Sequence, residues 1–177
     1  MLIVAALFGG LNELILVFKR FFKFRVSGLW YIFIFFFPAV VCLIAVAAYV
    51  LIGGTSPDFP MFKTDQWAIL LVFISFLLPL ISSAFLEEIG FRAYALPIFQ
   101  EKYGPLKGTL VVGFIFGAWL LPEFYHVSTP QYAMGIGYYP WFIVTEIAWS
   151  IVMTWIYNET RGSALVSGYL LHAFFNA

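Results

Sequence analysis

The apolar residues fall into long runs separated by short polar stretches, and the runs have the length of membrane helices rather than of strands. Trp30 to Ile52 carries no charge and, at ~1.5 Å per residue, is long enough to cross a ~30 Å hydrocarbon core, with Pro38 an expected kink. Trp67 to Leu86 is a second run of this kind, with Pro79 inside it. Gly108 to Leu121, closed by Pro122, is shorter and crosses only with residues borrowed from the connector before it, and Trp141 to Tyr157 follows. Ala164 to Ala177 reads as a final helix of ~21 Å, too short to cross. At the other end, Met1 to Phe8 is apolar and Gly9-Gly10 breaks it. Leu11 to Phe24 then sets Leu11, Ile15, Phe18 and Phe22 at helical spacing against Glu13, Lys19, Arg20 and Lys23, the pattern of a helix lying in the membrane interface. Turn formers place a loop from Gly53 to Gln66, a short helix from Phe91 to Phe99 interrupted by Pro97, a connector from Gln100 to Lys107, a loop from Glu123 to Tyr139 and a turn from Asn158 to Ser163. The prediction is an all-α fold: one membrane domain over 1–177, a polytopic transmembrane helix bundle of about five to six membrane helices with one or two interfacial helices. Its short first and last segments read as truncated at both ends.

Composition sharpens this. At 63% hydrophobic and 10% charged, the chain lies far from the ~25% charged of soluble domains, so the lipid bilayer is its first partner. The net charge is zero and basic residues do not alternate with aromatics on a polar face, which excludes a nucleic-acid partner. Cys42 is the single cysteine, so there is neither an intrachain disulfide nor a Cys/His metal spacing. The N-terminal segment has no basic region or cleavage site of a signal peptide. If each apolar run crosses once, Lys19, Arg20, Lys23, Arg25, Arg92, Lys102, Lys107 and Arg161 fall on one side and Lys63 on the other. By the positive-inside rule the first side is cytoplasmic. The expected location is the plasma membrane.

The candidate chemistry begins at Glu87-Glu88-Ile89-Gly90-Phe91-Arg92. A charge at the centre of a lipid-facing helix costs at least ~2.5–3.5 kcal/mol, so two adjacent carboxylates at the end of a membrane run call for a use. Glu88 and Arg92 are four apart and pair on one helical face, whereas Glu87 is rotated by about 100°. One carboxylate is then structural and one chemical; the alternative is a helix end that reaches the headgroups and is simply solvated. In the last helix His172 and Asn176 share a face, and His172 is ~14 Å from Ser163, a depth comparable to that of Glu87. Carboxylate, imidazole and amide can thus converge on a polar cavity opening to the cytoplasm, although a lone His in an apolar helix is commonly a satisfied interior residue. Glu146 is a further acid inside a membrane run, read either as a protonated interhelical contact or as a possible accessory to the chemistry. His126, past Pro122, is expected to face elsewhere.

These elements resemble the CPBP family of intramembrane proteases, which includes CAAX prenyl endopeptidases, bacteriocin-processing enzymes and Abi-type immunity proteins. The E-E-x-x-x-R element matches Glu87 to Arg92, followed by a similar Ala93-Tyr94-Ala95-Leu96-Pro97, and the H-x-x-x-N element matches His172 to Asn176, preceded by the similar turn Glu159-Thr160-Arg161-Gly162-Ser163. The F-x-x-x-H element is broken: Phe116 to Pro122 keeps Phe, Trp and Pro, but Leu120 stands at the histidine position. The resemblance runs from about Ala5 to the end and implies further helices on both sides. It implies an endopeptidase in which Glu87, next to Glu88, activates water with help from the second-motif histidine whose place Leu120 takes here, His172 and Asn176 stabilise the oxyanion, and Arg92 holds Glu88. The substrate would be a prenylated protein or a peptide, cut near the cytoplasmic face. Zinc enters only through the resemblance, since without a second histidine Glu87, Glu88 and His172 make a poor site for an ion that wants three good protein ligands; no metal or other cofactor is expected. The alternative is a catalytically impaired relative acting as a peptide-binding or bacteriocin-immunity membrane protein.

Overall fold

The computed structural model describes residues 2–56, 58 and 84–176, and among these there is no strand. Helix α1 (Leu2–Phe21) is two helices joined at Gly10, whose φ of 64° and ψ of −161° are non-helical; glycine takes a positive φ without steric penalty, so the Gly9-Gly10 break is a kink. Helix α2 (Gly28–Leu51) starts at Ser27, whose side chain accepts a bond from the Leu29 N–H at 3.4 Å. Its buried residues are Ile34 and Pro38, while Leu29, Ile32, Phe36, Leu43, Ile44 and Leu51 point outward. A helix so apolar all round belongs in lipid. Of the expected span from Trp67 to Leu86, everything before Ala84 lies outside the described residues, as do Pro79 and Lys63.

The end of that run emerges as α3 (Ala84–Glu88), winds into a π-helical segment (Ile89–Ala95) and continues as α4 (Leu96–Tyr103). Pro97 therefore does not interrupt the helix. It sits in the first turn of α4, where a missing N–H costs least, and the expected connector from Gln100 stays helical up to Gly104. In an α-helix the Ala93 carbonyl would bond the N–H of residue 97, which proline lacks; Arg20 Nη1 donates to it instead at 3.2 Å. That bond, with the buried Val17 and Phe21 beside Ile89, Phe91 and Leu96, docks the second half of α1 on the π segment.

Helix α5 (Pro105–Trp119) runs antiparallel to a later helix over Tyr139–Glu159. Ser150 Oγ donates to the Thr109 carbonyl at 3.2 Å, and Gly113 and Gly117 lie against Ile147 and Ile143; a Cβ at 113 would meet Ile147 Cα at 2.8 Å. Small residues that let backbones approach are how helices pack in lipid, where apolar burial alone gives no drive to associate. The connection expected as a loop is instead a chain of short helical turns: a 3₁₀ turn (Leu121–Tyr125), α6 (Pro130–Met134) capped by Thr129, and a 3₁₀ turn (Ile136–Tyr138) leading into α7 (Tyr139–Glu159). In the turn after α7, Ser163 Oγ accepts from the Val166 N–H and donates to the Lys23 carbonyl at 2.5 Å. The last helix opens with a second π segment (Leu165–Leu170) and ends as α8 (Leu171–Phe175).

Among the described residues three helical stretches are long and apolar enough to cross a membrane, Gly28–Leu51, Pro105–Tyr125 and Ile136–Glu159, with Leu165–Phe175 a shorter apolar helix. The fold is an all-α membrane bundle. Its basic groups gather at one end, where Lys23 Nζ donates to the Arg161 carbonyl at 2.7 Å; the antiparallel pairing of α5 with α7 sets Lys107 at this end too. Arg92 departs from the charge-based expectation: it is 2% exposed and belongs to the interior.

Candidate active site

Several elements of the bundle line one cavity of about 360 Å³. Glu87 and Glu88 come from the end of α3 and Arg92 from the π segment; Phe116 comes from the last turn of α5 and Leu120 from its C-cap. Helix α7 adds Phe142, Glu146, Trp149 and Met153, spaced by four, three and four so that one stripe of the helix faces the cavity. His172, Phe175 and Asn176 complete it from the last helix. The site lies where two apolar clusters meet, one containing Phe91 and Phe116, the other Met153, Ile156 and Leu171.

Glu88, fully buried, is the hub. Its Oε1 is 2.9 Å from His172 Nδ1 and its Oε2 is 3.5 Å from Arg92 Nε. Glu87 Oε2 is 3.9 Å from the same His172 nitrogen. An ionised carboxylate only accepts hydrogen bonds, so Nδ1 is the donor and Nε2 is the nitrogen left to face a reactant. The remaining contacts of Arg92 are soft: Nη2 lies 2.9 Å from Met153 Sδ and the guanidinium sits 5.7 Å from the Phe116 ring centre. Arg92 Nε and Nη1 make no hydrogen bond that meets ordinary geometry, so the Glu88 pairing carries most of the compensation for burying this cation. Gly168, in the second π segment, closes the pair from above, since a Cβ there would lie 2.7 Å from Glu88 Oε2 and 2.8 Å from Arg92 Cγ. Both π segments thus meet at the ion pair, in line with the frequent occurrence of such windings at functional sites.

Sequence reasoning placed Glu87, Glu88, Leu120, Glu146, His172 and Asn176 as candidates, and all six line this cavity, with Arg92. The expected i,i+4 pairing of Glu88 with Arg92 is present. What the sequence reading did not anticipate is that His172 is bonded to Glu88. His126 does not line the cavity; it is exposed and bonds Ser128 Oγ through Nδ1 at 2.9 Å. The neighbouring connection does reach in, through Glu123, Pro130, Gln131 and Met134. The exposed lining residues Pro130, Met134, Phe175 and Asn176 form the rim. That rim is at the end of α5 and the start of α7, where the connection folds over the cavity. Gly168, Trp149 and Met153 were missed; the small residues Ser163, Ala164, Ser167 and Gly168 were the signal for a close approach by the last helix.

The donor chemistry does not suit a zinc ion. Among the described residues no three His, Cys, Asp or Glu side chains stand at ligating spacing. Glu88 is occupied by a guanidinium and an imidazole N–H, whereas a catalytic zinc takes three protein ligands.

The description "Type II CAAX prenyl endopeptidase Rce1-like" matches residues 65–177, the part of the chain that holds every residue of the cavity. The chain is also similar to CAAX prenyl protease 2 of Methanococcus maripaludis, with 27% identity over 138 residues, 73% of this chain and 48% of that protein; it spans about half the length of that curated relative. With more than half its residues covered by the family match, this chain belongs to the Rce1-like type II CAAX prenyl endopeptidase family and is an integral membrane protein.

Proposed function

We propose that the chain is an intramembrane endopeptidase that hydrolyses a peptide bond of a prenylated protein or peptide with a glutamate-activated water. The observation that supports this best is the convergence of Glu87 and Glu88 from one helix and His172 and Asn176 from another on a single cavity. Glu87 takes the proton from water as hydroxide attacks the carbonyl carbon. Glu88, held by Arg92, fixes the imidazole through Nδ1, so His172 offers an Nε2–H to the oxyanion when the ring carries both protons, and the Asn176 amide offers a second donor. Each donor of this kind is typically worth ~2.7–4 kcal/mol in the transition state. No step passes through a metal. A lipidated substrate is anchored in the same bilayer as the enzyme, which suits a cavity inside a membrane bundle. The plasma membrane is the proposed location, with the basic end around Lys23 and Arg161 cytoplasmic and the peptide bond cut near that face.

A second reading, a catalytically impaired relative that binds a peptide, draws on Leu120, which lines the cavity and supplies no acid–base group. Incubating membranes that contain the protein with a prenylated peptide and weighing the products separates the two. Hydrolysis gives two fragments whose masses sum to the substrate plus one water; intact peptide that co-purifies with the protein supports the binding reading and sinks the protease one.

A further inference from the structure

Resting on the protease reading, we infer that Glu146 is a catalytic residue, the proton donor to the leaving amine. With Glu87 as base, Glu88 and Arg92 holding His172, and His172 and Asn176 at the oxyanion, the departing nitrogen takes its proton either from Glu87, which holds the one abstracted from water, or from a second acid in the cavity. Amines leave poorly as anions, so this is the step that most needs one.

Glu146, like Glu123, is a cavity acid that the steps above leave without a task. It sits in the α7 stripe between Phe142, Trp149 and Met153, and an acid on an apolar membrane helix is costly to keep. The packing is arranged around it: Gly117, one turn before Leu120, lies so close that a Cβ there would be 3.3 Å from Glu146 Cβ and 3.4 Å from its Cγ. The glycine leaves the room in which the glutamate lies, beside the part of the cavity where Leu120 presents only carbon. The charged groups that share the cavity with it are Glu87, Glu88 and Arg92 from α3 and the π segment, Glu123 from the 3₁₀ turn and His172 from the last helix. Of these Glu87, Glu88, Arg92 and His172 act on it electrostatically.

The step balances. A water O–H bond breaks, its proton goes to the Glu87 carboxylate, and a C–O bond forms at the carbonyl carbon. The Glu146 carboxyl then gives its proton to the amide nitrogen as the C–N bond breaks, releasing amine and carboxylic acid. The proton on Glu87 passes to the Glu146 carboxylate and restores both.

The test compares an amide reporter with one in which the scissile amide is replaced by an aryl ester, whose phenolate leaves without a proton, using the full chain in membranes. Glu146→Gln should slow amide cleavage by about 10²–10⁴-fold, with KM within about threefold and the aryl ester slowed by less than about tenfold. Glu87→Gln, in parallel, should lose both reactions. Glu146→Asp, which keeps a carboxyl, should restore part of the amide rate and guards against a Gln variant that fails to accumulate. Glu146→Gln with an amide rate near wild type, or with equal losses on both reporters, overturns the inference while leaving the Glu87 reading intact. A wild-type chain that cleaves neither reporter overturns both.

Discussion

Gly168→Ala is the perturbation whose outcome the geometry constrains most tightly. The added Cβ would lie 2.7 Å from Glu88 Oε2, 2.8 Å from Arg92 Cγ and 3.2 Å from Arg92 Cβ. To bring the first contact to 3.4 Å, the edge of ordinary packing, the carboxylate must retreat by 0.7 Å, the difference between 3.4 and 2.7. A side chain with a free end would do this cheaply. Glu88 has none, because one oxygen is held by His172 at 2.9 Å, the other faces Arg92 at 3.5 Å, and the residue is fully buried. Alanine favours a helix over glycine by about 0.8–1.0 kcal/mol, whereas overpacking a filled interior costs about 1–3 kcal/mol. The expected net effect is a destabilisation of about 0–2 kcal/mol. The larger effect is on chemistry: misplacing a positioned group by about 1 Å can cost 10²-fold, so cleavage should fall by about 10–100-fold as the Glu88–His172 bond is disturbed. Unfolding in mild detergent and reporter cleavage in membranes, measured on the same preparations, read the two effects separately. A Gly168→Ala protein more stable than wild type and equally active would refute the placement of the last helix on the ion pair.

Arg92→Ala leaves Glu88 buried without its cation and should destabilise the bundle by about 3–5 kcal/mol, a loss partly recovered in the Arg92→Ala/Glu88→Gln double variant; unfolding in detergent reads both. Leu120→His places an acid–base group in the cavity beside Glu146 and should raise cleavage in a Glu146→Gln background by about 10²–10⁴-fold, and by less in the wild type; equal gains in both backgrounds would show that positions 120 and 146 act independently. Gly113→Val drives a side chain into Ile147 Cα, 2.8 Å from the first added atom, and should cost about 1–3 kcal/mol in the same unfolding assay. Ser163→Ala removes the bonds to Val166 and Lys23, an expected loss of about 1 kcal/mol in that assay.

Much of this site is local, and local patterns are legible in a sequence. The Glu88–Arg92 pair follows from a spacing of four, the shared face of His172 and Asn176 from the same rule, and the break at Gly9-Gly10 from the freedom of glycine. The pairing of His172 with Glu88 was not legible, because it depends on how closely the last helix crosses α3, which Gly168 sets and no helical periodicity encodes. The two π windings escaped for a related reason: each rephases its side chains by about one residue per segment without any composition of its own. Pro97 misled as a breaker, since the π segment before it supplies a first turn in which proline is tolerated. The connection from Glu123 to Tyr139 has the Gly, Pro, Ser and Thr of a loop and folds into helical turns over the cavity. Arg92 was counted among the charges of the basic side because topology rules count residues, whereas its i,i+4 partner Glu88 carries the cation inward.

The central claim is that Glu87 activates water in the cavity it shares with His172 and Asn176. It is tested most directly by the single-turnover rate of Glu87→Gln on a prenylated peptide reporter in membranes, set against wild type at matched amounts of folded protein. The substitution keeps the shape and removes the base, so the rate should fall by about 10²–10⁴-fold with reporter binding unchanged. A Glu87→Gln protein that cleaves at the wild-type rate would contradict the account.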